Sequence, residues 1–436
     1  MDIFYEKLKV AHIEIVSERP TLRYDPDWLA RQGAFPISVS MPLTAERIEA
    51  EKILPWLANL LPESHLSEIG QQLGVSPQDI LGILNSIGRD TAGALSISQP
   101  RPDRDEFRVV STDDDLKRII DELPHKPFLV GEEGVSMSLA GTQEKLPVNL
   151  VDGKVAIPIN GTPSTHILKP DNKRLPGSVQ NEAFCLTLAG LTGLDAAPAT
   201  TGIAGDRSYL LVERYDRIRS DGRVRRIHQE DFCQLLGHFP SAKYEFNGPG
   251  TIRGPGLADL FAAAERHISP GARLSLLDAV VFNVLMCNVD AHSKNYSILI
   301  GAGGSVKLAP LYDVMCGEVY PKITKQLPQS IAGKTDATHL HGTDWQRLAK
   351  EVGLSPARSL RRVGELCRLV SENAARAKTT VEAMPAGGNQ TLDQVERAVQ
   401  KRCRRIANQL TVRDKRIAED ETDEIEQEDR ANLPSP

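Results

Sequence analysis

Asn288-Val289-Asp290-Ala291-His292-Ser293-Lys294-Asn295, followed by Leu311-Tyr312-Asp313, is the part of this chain that most constrains its fold and chemistry. An Asp and an Asn five positions apart, with another Asp downstream, is the spacing of a phosphotransferase catalytic loop. In such loops the first Asp receives or orients the proton of an attacking hydroxyl. The Asn and the later Asp hold the magnesium ions that bridge nucleotide phosphates. An apolar run, Ala279 to Met286, precedes the motif, and Tyr296-Ser297-Ile298-Leu299-Ile300 follows it. This pattern predicts a buried helix, an exposed loop and a strand, so that rigid elements would present the polar residues. Two other readings fit the same residues: a polar loop in which Asp290 and Asn295 only cap and turn the chain, and a metal hydrolase site built on Asp-x-His. No second cluster of His and carboxylates lies at ligand spacing, which weighs against the hydrolase.

The 436 residues exceed what one core usually serves and suggest two or three domains. Charged residues make up 25% and the apolar set 40% of the chain, ordinary for a soluble globular protein. A net charge of -6 argues against a protein that coats nucleic acid unaided. Cys185, Cys233, Cys287, Cys316, Cys367 and Cys403 include no CxxC pair, so reduced, buried thiols are expected. Met1 to Val10 has no signal-peptide core, and no apolar run approaches the ~18 residues of a membrane span. A soluble, cytoplasmic protein is the expectation.

Residues 1 to about 110 read as a small α+β module. His12–Val16 and Ile37–Met41 suggest strands, Ala45–Leu61 an amphipathic helix stopped by Pro62, and Val75–Ile87 a second helix. Gly88 to Ala94 turns into a strand at Leu95–Ser98, and Gln99–Glu106 reads as a linker or hairpin tip. From about 126 to 216 the pattern is β-rich. Leu146–Val151 and Lys154–Ile159 flank Asp152-Gly153, a strong hairpin signal. Thr165–Lys169 and Tyr209–Arg214 follow as strands, with Gln180–Leu191 helical between them and a second hairpin signal at Asp221-Gly222. Beyond about 228 helices dominate: Asp231–Leu236, Gly256–His267, Arg273–Cys287, Trp345–Val352, Arg358–Ala375 and Leu392–Ile406. Four stretches are expected: a small module at 1–125, a β-rich lobe at 126–216, a helical lobe at 217–418, and a carboxylate-rich tail at 419–436 too polar to order itself. A nucleotide would sit where the two lobes meet.

Phosphoryl transfer also needs a cover for the phosphates, a strand lysine to neutralise them and an acid to position that lysine. The small, polar loop Ser136 to Lys145 fits the cover, although an ordinary surface loop would look the same. Lys169, at the end of its strand, is the candidate lysine, and Glu182, early in the next helix, its partner. Equally, Lys169 is a type of residue common at exposed strand ends, and Glu182 would favour a helix N-terminus in any case. Glu213 to Tyr215 closes the β-rich stretch where adenine would be held, or forms an amphipathic edge strand.

Ser138 to Lys145, Thr165 to Lys169, Asn181-Glu182, Val212 to Arg217, His228 to Asp231, Lys243-Tyr244-Glu245, Asp290 to Asn295 and Tyr312-Asp313 occur in this order. Together they closely resemble the HipA-like toxins, Ser/Thr protein kinases of bacterial type II toxin–antitoxin systems. Leu60 to Ser64 and Gly88-Arg89-Asp90 resemble that family's small N-terminal domain. The resemblance implies an α+β, two-lobed protein-kinase-like fold, related to phosphoinositide kinases, that uses ATP and Mg²⁺. It implies Asp290 as catalytic base, with His292 and Asn295 beside it, and Asn295 and Asp313 as metal ligands. Nucleotide contacts would come from Ala140, Gly141, Thr142, Gln143, Glu144 and Lys145 in the cover, and from Lys169. Glu213, Arg214 and Tyr215 would hold the adenine, while His292, Ser293, Lys294, Asn295, Tyr312 and Asp313 would complete the site. Ser138 matches a serine that such toxins autophosphorylate to eject the cover loop. Ser136 lies two positions earlier, and on a strand-like stretch both would be equally presented.

The resemblance further implies an aminoacyl-tRNA synthetase substrate, a HipB-like helix-turn-helix antitoxin partner, and DNA contact mainly through that antitoxin. The basic run Lys401 to Arg405, with Arg413, Lys415 and Arg416, is a candidate phosphate-backbone contact or simply a solvated face. A catalytically inactive co-repressor supporting the antitoxin is the alternative function. No Phe-Gly follows Asp313, so the in/out switch of eukaryotic kinases is not implied.

Overall fold

The computed structural model describes residues 1–220, 222–246, 248 and 252–411. The expected carboxylate-rich tail, Arg413, Lys415 and Arg416, and residue 221 of the second hairpin signal lie outside the described residues.

A four-stranded sheet opens the chain: β1 (Asp2–Tyr5), β2 (Leu8–Val16), β3 (Arg19–Tyr24) and β4 (Leu95–Ile97), in the order β3-β2-β1-β4. The helices Ala50–Ala58, Leu66–Leu73 and Ile80–Ile87 belong to the same module. Three local expectations change here. Ile37, Ser38 and Met41 are buried, but the backbone of the stretch bonds to side chains: Ile37 O lies 2.7 Å from the His228 ring, and Val39 N–H donates to Glu230. It is therefore no strand. The first helix runs only over Ala50–Ala58, since Ile48 is bridged to Leu22 of β3. Val75–Ile87 shortens to Ile80–Ile87, where the Asp79 side chain accepts from Gly82 N–H as an N-cap.

The second sheet has six antiparallel strands: β5 (Glu106–Val109), β6 (Leu146–Val151), β7 (Lys154–Ile159), β8 (His166–Pro170), β9 (Ala199–Ala204) and β10 (Arg207–Glu213). Their order is β5-β7-β6-β8-β10-β9. The hairpin at Asp152-Gly153 forms as read, both residues taking the positive φ (50° and 76°) that such a turn demands. β5, within the stretch 1–125, pairs with β7, so this sheet crosses the expected boundary near residue 125. The helix Ser178–Leu191 packs on β9 and β10 and on the long helix Pro356–Glu382. Beyond it the chain is mainly helical, through Leu257–His267, Pro270–Leu285, Gly342–Glu351, Pro356–Glu382 and Gln390–Gln409. A small sheet, β13 (His228–Asp231), β14 (Ser297–Ile300) and β15 (Val306–Leu308), follows the hairpin β11 (Arg217–Ser220) and β12 (Arg223–Arg226). The α+β, two-lobed architecture expected from the sequence is the one observed. The motif of Asp290 to Asn295 sits between helix Pro270–Leu285 and the fully buried strand β14, as its flanking apolar runs indicated. On helix Gln390–Gln409, Arg402 is buried and lies 3.5 Å from Glu318, so the basic run is not wholly a solvated face.

One buried charge cluster ties these parts together. Asp90 accepts from Arg217 (2.9 Å), Arg226 (3.3 Å) and Arg214 (3.5 Å), all nearly inaccessible to solvent. Asp216 pairs with Arg214 and Arg217 from the other side. Burial alone would raise the Asp90 carboxyl, but the three guanidiniums outweigh it and hold it well below the usual range. The backbone of Asp90 also brackets the cover segment, accepting from Ser138 N–H and donating to Ser136 O. Removing one partner of a buried ion cluster leaves the others charged and unpaired. Asp90→Ala is expected to lose about 3–5 kcal/mol of stability, read as a fall in the chemical-denaturation midpoint. A change within 0.5 kcal/mol, the range of an ordinary surface substitution, would refute this role.

Candidate active site

A cleft of about 1170 Å³ opens between the six-stranded sheet and the helical part. Lys169, on β8, reaches its centre. Its ammonium lies 2.7 Å from Glu182 Oε1 and 2.7 Å from Asp313 Oδ1. Glu182 faces it because the helix Ser178–Leu191 starts directly after the loop that leaves β8. Asp313 faces it from the loop after β15, with φ at 55°. A left-handed aspartate costs conformational energy and is characteristic of functional loops. Burial pulls the Lys169 ammonium down, but the two carboxylates more than compensate and keep it charged. Burial likewise raises Asp313, while Lys169 and Lys145 together hold it well below the usual carboxylate range.

The cover loop forms the roof. Gly141 has φ of 107° and lies against the Lys145 ammonium, which donates to Ala140 O. Such a φ is a conformation that glycine adopts and L side chains rarely do. Burial pushes Lys145 down to about 8, with Lys169 adding to the fall and Asp313 opposing it. The N-terminal module holds the loop from behind. Glu63 N–H donates to Gly141 O, Ser64 Oγ to Thr142 O, and Ser138 Oγ to Leu60 O at 2.7 Å. Ser136 Oγ donates to Ser86 O at 2.8 Å. Both serines are buried, so the expectation that they would be equally presented is corrected: each is tied to a different helix end.

On the opposite wall Asp290 carries the open carboxylate, its side chain 55% exposed. Burial by the surrounding walls raises its pKa, as does Asp313, whereas the Tyr244 hydroxyl bonded to Oδ1 lowers it. Asn295 donates through Nδ2 to Asp290 O at 2.7 Å, which makes its carboxamide oxygen the atom available to a cation. Asn288 braces both loops: its Oδ1 accepts from Asp290 N–H and its Nδ2 reaches Asp313 O at 3.5 Å. The apolar side chains of Ile167 and Val212 line the far end beside Glu213 to Tyr215, where Tyr215 and Tyr312 form a tilted pair at 5.4 Å.

Several expected contacts are placed differently. Ser293 is fully buried and donates to Lys243 O at 2.9 Å, so it braces the loop from behind. The Lys294 ammonium is taken up by Asp231 (3.0 Å) and Asn59 (2.6 Å). The Arg214 guanidinium turns into the Asp90 cluster, leaving backbone as its contribution to the cleft. His292 is held neutral by burial and by Lys243, so it is poorly suited to carry a proton. Each has the physical reason that a cation or ring beside an apolar core must be paired or neutral. Arg214, His292 and Lys294 still line the cleft, as do the cover loop and Lys169, Glu213, Tyr215, Asn295, Tyr312 and Asp313; of the expected contacts only Ser293 does not. Glu63 and Tyr244 join them without having been singled out as site residues; they lie in motifs whose order was visible but whose contacts were not.

Residues 1–98 match the family model of the HipA N-terminal domain and residues 137–374 that of the HipA-like C-terminal domain. The chain belongs to the HipA family. It is 40% identical to Y4mE of Sinorhizobium fredii over 371 residues, 81% of this chain and 85% of that one. It is 32% identical to the serine/threonine-protein kinase toxin HipA of Shewanella oneidensis, over 78% of this chain and 79% of that one. The structure of Shewanella oneidensis MR-1 HipA, solved with HipB and operator DNA, superposes with a TM-score of 0.81 at 27% identity. That match covers 93% of this chain and 97% of the other. The protein is thus a HipA-like kinase. No helix among its described residues is long and apolar enough to cross a membrane.

The lysine pair sets a pH dependence. An anionic phosphate between Lys145 and Lys169 would raise Lys145 above its free value of about 8. The bound form then holds more protons, so affinity falls as pH rises above about 8. Calorimetry of nucleotide binding in buffers of differing ionisation enthalpy should show net proton uptake near that pH, and none in Lys145→Met.

Proposed function

We propose that this HipA-like chain is an ATP- and Mg²⁺-dependent Ser/Thr protein kinase that acts as a growth-arrest toxin. The observation that carries the proposal is Lys169 held at 2.7 Å from both Glu182 and Asp313, across the cleft from the open carboxylate of Asp290. Lys145 and Lys169 would bind the phosphates of ATP under the cover loop, with the adenine toward Ile167, Val212 and the backbone of Glu213 to Tyr215. The oxygens of Asp313 and Asn295 suit magnesium. They are hard donors, one carries full charge, and only two are needed because this ion keeps waters and binds substrate phosphates. Among the described residues no group of three His, Cys, Asp or Glu forms a closed metal cage. Bound there, the ion would neutralise charge developing on the phosphates.

Asp290 is the group positioned to accept the proton of an acceptor hydroxyl. The hydroxyl oxygen forms a bond to the γ-phosphorus, the bond to the β–γ bridging oxygen breaks, and ADP leaves. Its pKa is raised from the ordinary aspartate value, chiefly by desolvation, which favours proton acceptance. The family resemblance supports an aminoacyl-tRNA synthetase as acceptor. The HipA complex with HipB and operator DNA supports a HipB-like antitoxin as partner, through which most DNA contact would come.

Self-phosphorylation would silence the enzyme. Ser138 donates to Leu60 O, just beyond helix Ala50–Ala58, and Ser136 to Ser86 O, in the last turn of Ile80–Ile87. Helix C-termini carry partial negative charge. A phosphate of about −1.5 to −2 on either serine would lose the donor and face that charge, so the cover could not redock.

Intact mass spectrometry after incubation with Mg²⁺-ATP tests the proposal. The wild-type chain should gain one or two phosphates mapped to Ser136 or Ser138. Asp290→Asn should slow the gain by about 10²–10⁴-fold while leaving ATP affinity. Normal phosphate uptake by Asp290→Asn would falsify the base assignment. Ser138→Ala is expected to stay active longer in the presence of ATP, and phosphate found only on Ser136 in the wild type would move the switch to that residue.

A further inference from the structure

The geometry points to Tyr244 as a positioning residue for phosphoryl transfer, holding Asp290 Oδ1 so that Oδ2 is the oxygen that meets the acceptor hydroxyl. This rests on the kinase reading and assigns a role to a residue outside the lysine, metal and base set. Tyr244 lies 46 positions before Asp290 in the sequence, yet its hydroxyl donates to Oδ1 at the cleft wall. A carboxylate on a loop, half exposed, would otherwise rotate about two torsions. One fixed hydrogen bond selects a single rotamer, and a base misplaced by about 1 Å can cost 10²-fold in rate.

The half-buried tyrosine is itself held by its neighbours. Its ring packs edge-to-face on His292, with centroids 5.0 Å apart at 85°. The Lys243 ammonium lies 5.3 Å from the ring centroid and 2.6 Å from Glu63. The Lys243 carbonyl accepts from both the N–H (3.1 Å) and the hydroxyl (2.9 Å) of Ser293, inside the catalytic loop itself. On the other side Glu245 accepts from Ser330 N–H at 2.6 Å and pairs with Arg253. Thus the strip 243–245 is stitched to the Asp290 loop, and the hydroxyl cannot drift independently of the carboxylate it holds. This also gives Ser293 and His292 a use: one fixes the backbone next to Tyr244, the other fixes its ring.

Tyr244→Phe removes only the hydroxyl. In the full chain the rate constant of self-phosphorylation at saturating Mg²⁺-ATP should fall about ten-fold, the value of one hydrogen bond to a charged group. KM for ATP and the melting temperature should stay at wild-type values, because the lost contact matters for the acceptor and not for the nucleotide. Incorporating 4-aminophenylalanine at 244 restores an N–H donor at the same place and should recover most of the rate. Wild-type rate in Tyr244→Phe overturns the assignment. So does a rate loss matched by weaker ATP binding and a lower melting temperature, which marks a packing role, or phosphate found on Tyr244 itself. Asp290→Asn separates the two levels: if it turns over normally, or the wild type takes up no phosphate, the kinase reading fails and the assignment with it.

Discussion

The buried ion triad of Lys169, Glu182 and Asp313 is the constraint on which the rest of the cleft depends. An unpaired ammonium at that depth would be costly to bury. The fold must therefore bring a strand, a helix and a distant loop to one point before the charge can be tolerated. Each element is fixed for its own reason: β8 by antiparallel pairing on both edges, the helix by an almost wholly buried surface, and the Asp313 loop by Asn288. The left-handed backbone of Asp313 persists because these neighbours over-determine it. A site made this way has its cations already in place and partly neutralised.

The N-terminal module is part of the site's construction. Leu60, Glu63 and Ser64 hold the cover loop by side-chain and backbone bonds, and Asp90 brackets the segment that carries both serines. Glu63 continues to Lys243, and so to the strip that presents Tyr244 to Asp290. The cover loop and Asp290 are thereby connected through Glu63, Lys243 and Tyr244. Displacing the module from the loop would disturb both. This gives a physical reason for the HipA N-terminal and HipA-like C-terminal domains to occur together in this chain.

Short-range signals were the legible ones. Asp152-Gly153 imposes its turn whatever surrounds it, and the helices with broad apolar faces, such as Pro270–Leu285 and Pro356–Glu382, were readable from periodicity. Leu66–Leu73 escaped although Leu66, Ile69 and Leu73 fall at i, i+3 and i+7, because eight residues give too short a window for that period to stand out. Ile37–Met41 misled because its apolar residues are covered by tertiary contacts and not by a partner strand. In the site, Lys169, Asp290, Asn295 and Asp313 were legible from spacing and resemblance, which record residue type along the chain. Ser293, Lys294 and Arg214 sit beside them in sequence but turn elsewhere, and adjacency in sequence carries no direction for a side chain.

The sequence by itself determined the local elements around the cleft, the family, and the residue types that phosphoryl transfer requires. It did so because turns, helix periodicity and motif spacing are properties of neighbouring residues. Only the tertiary structure decided which charges meet. Lys169 finds an aspartate 144 positions away, Asp90 gathers three arginines from beyond residue 213, and Tyr244 finds Asp290. Those pairings depend on how the sheets and helices pack, and packing is a property of the whole chain.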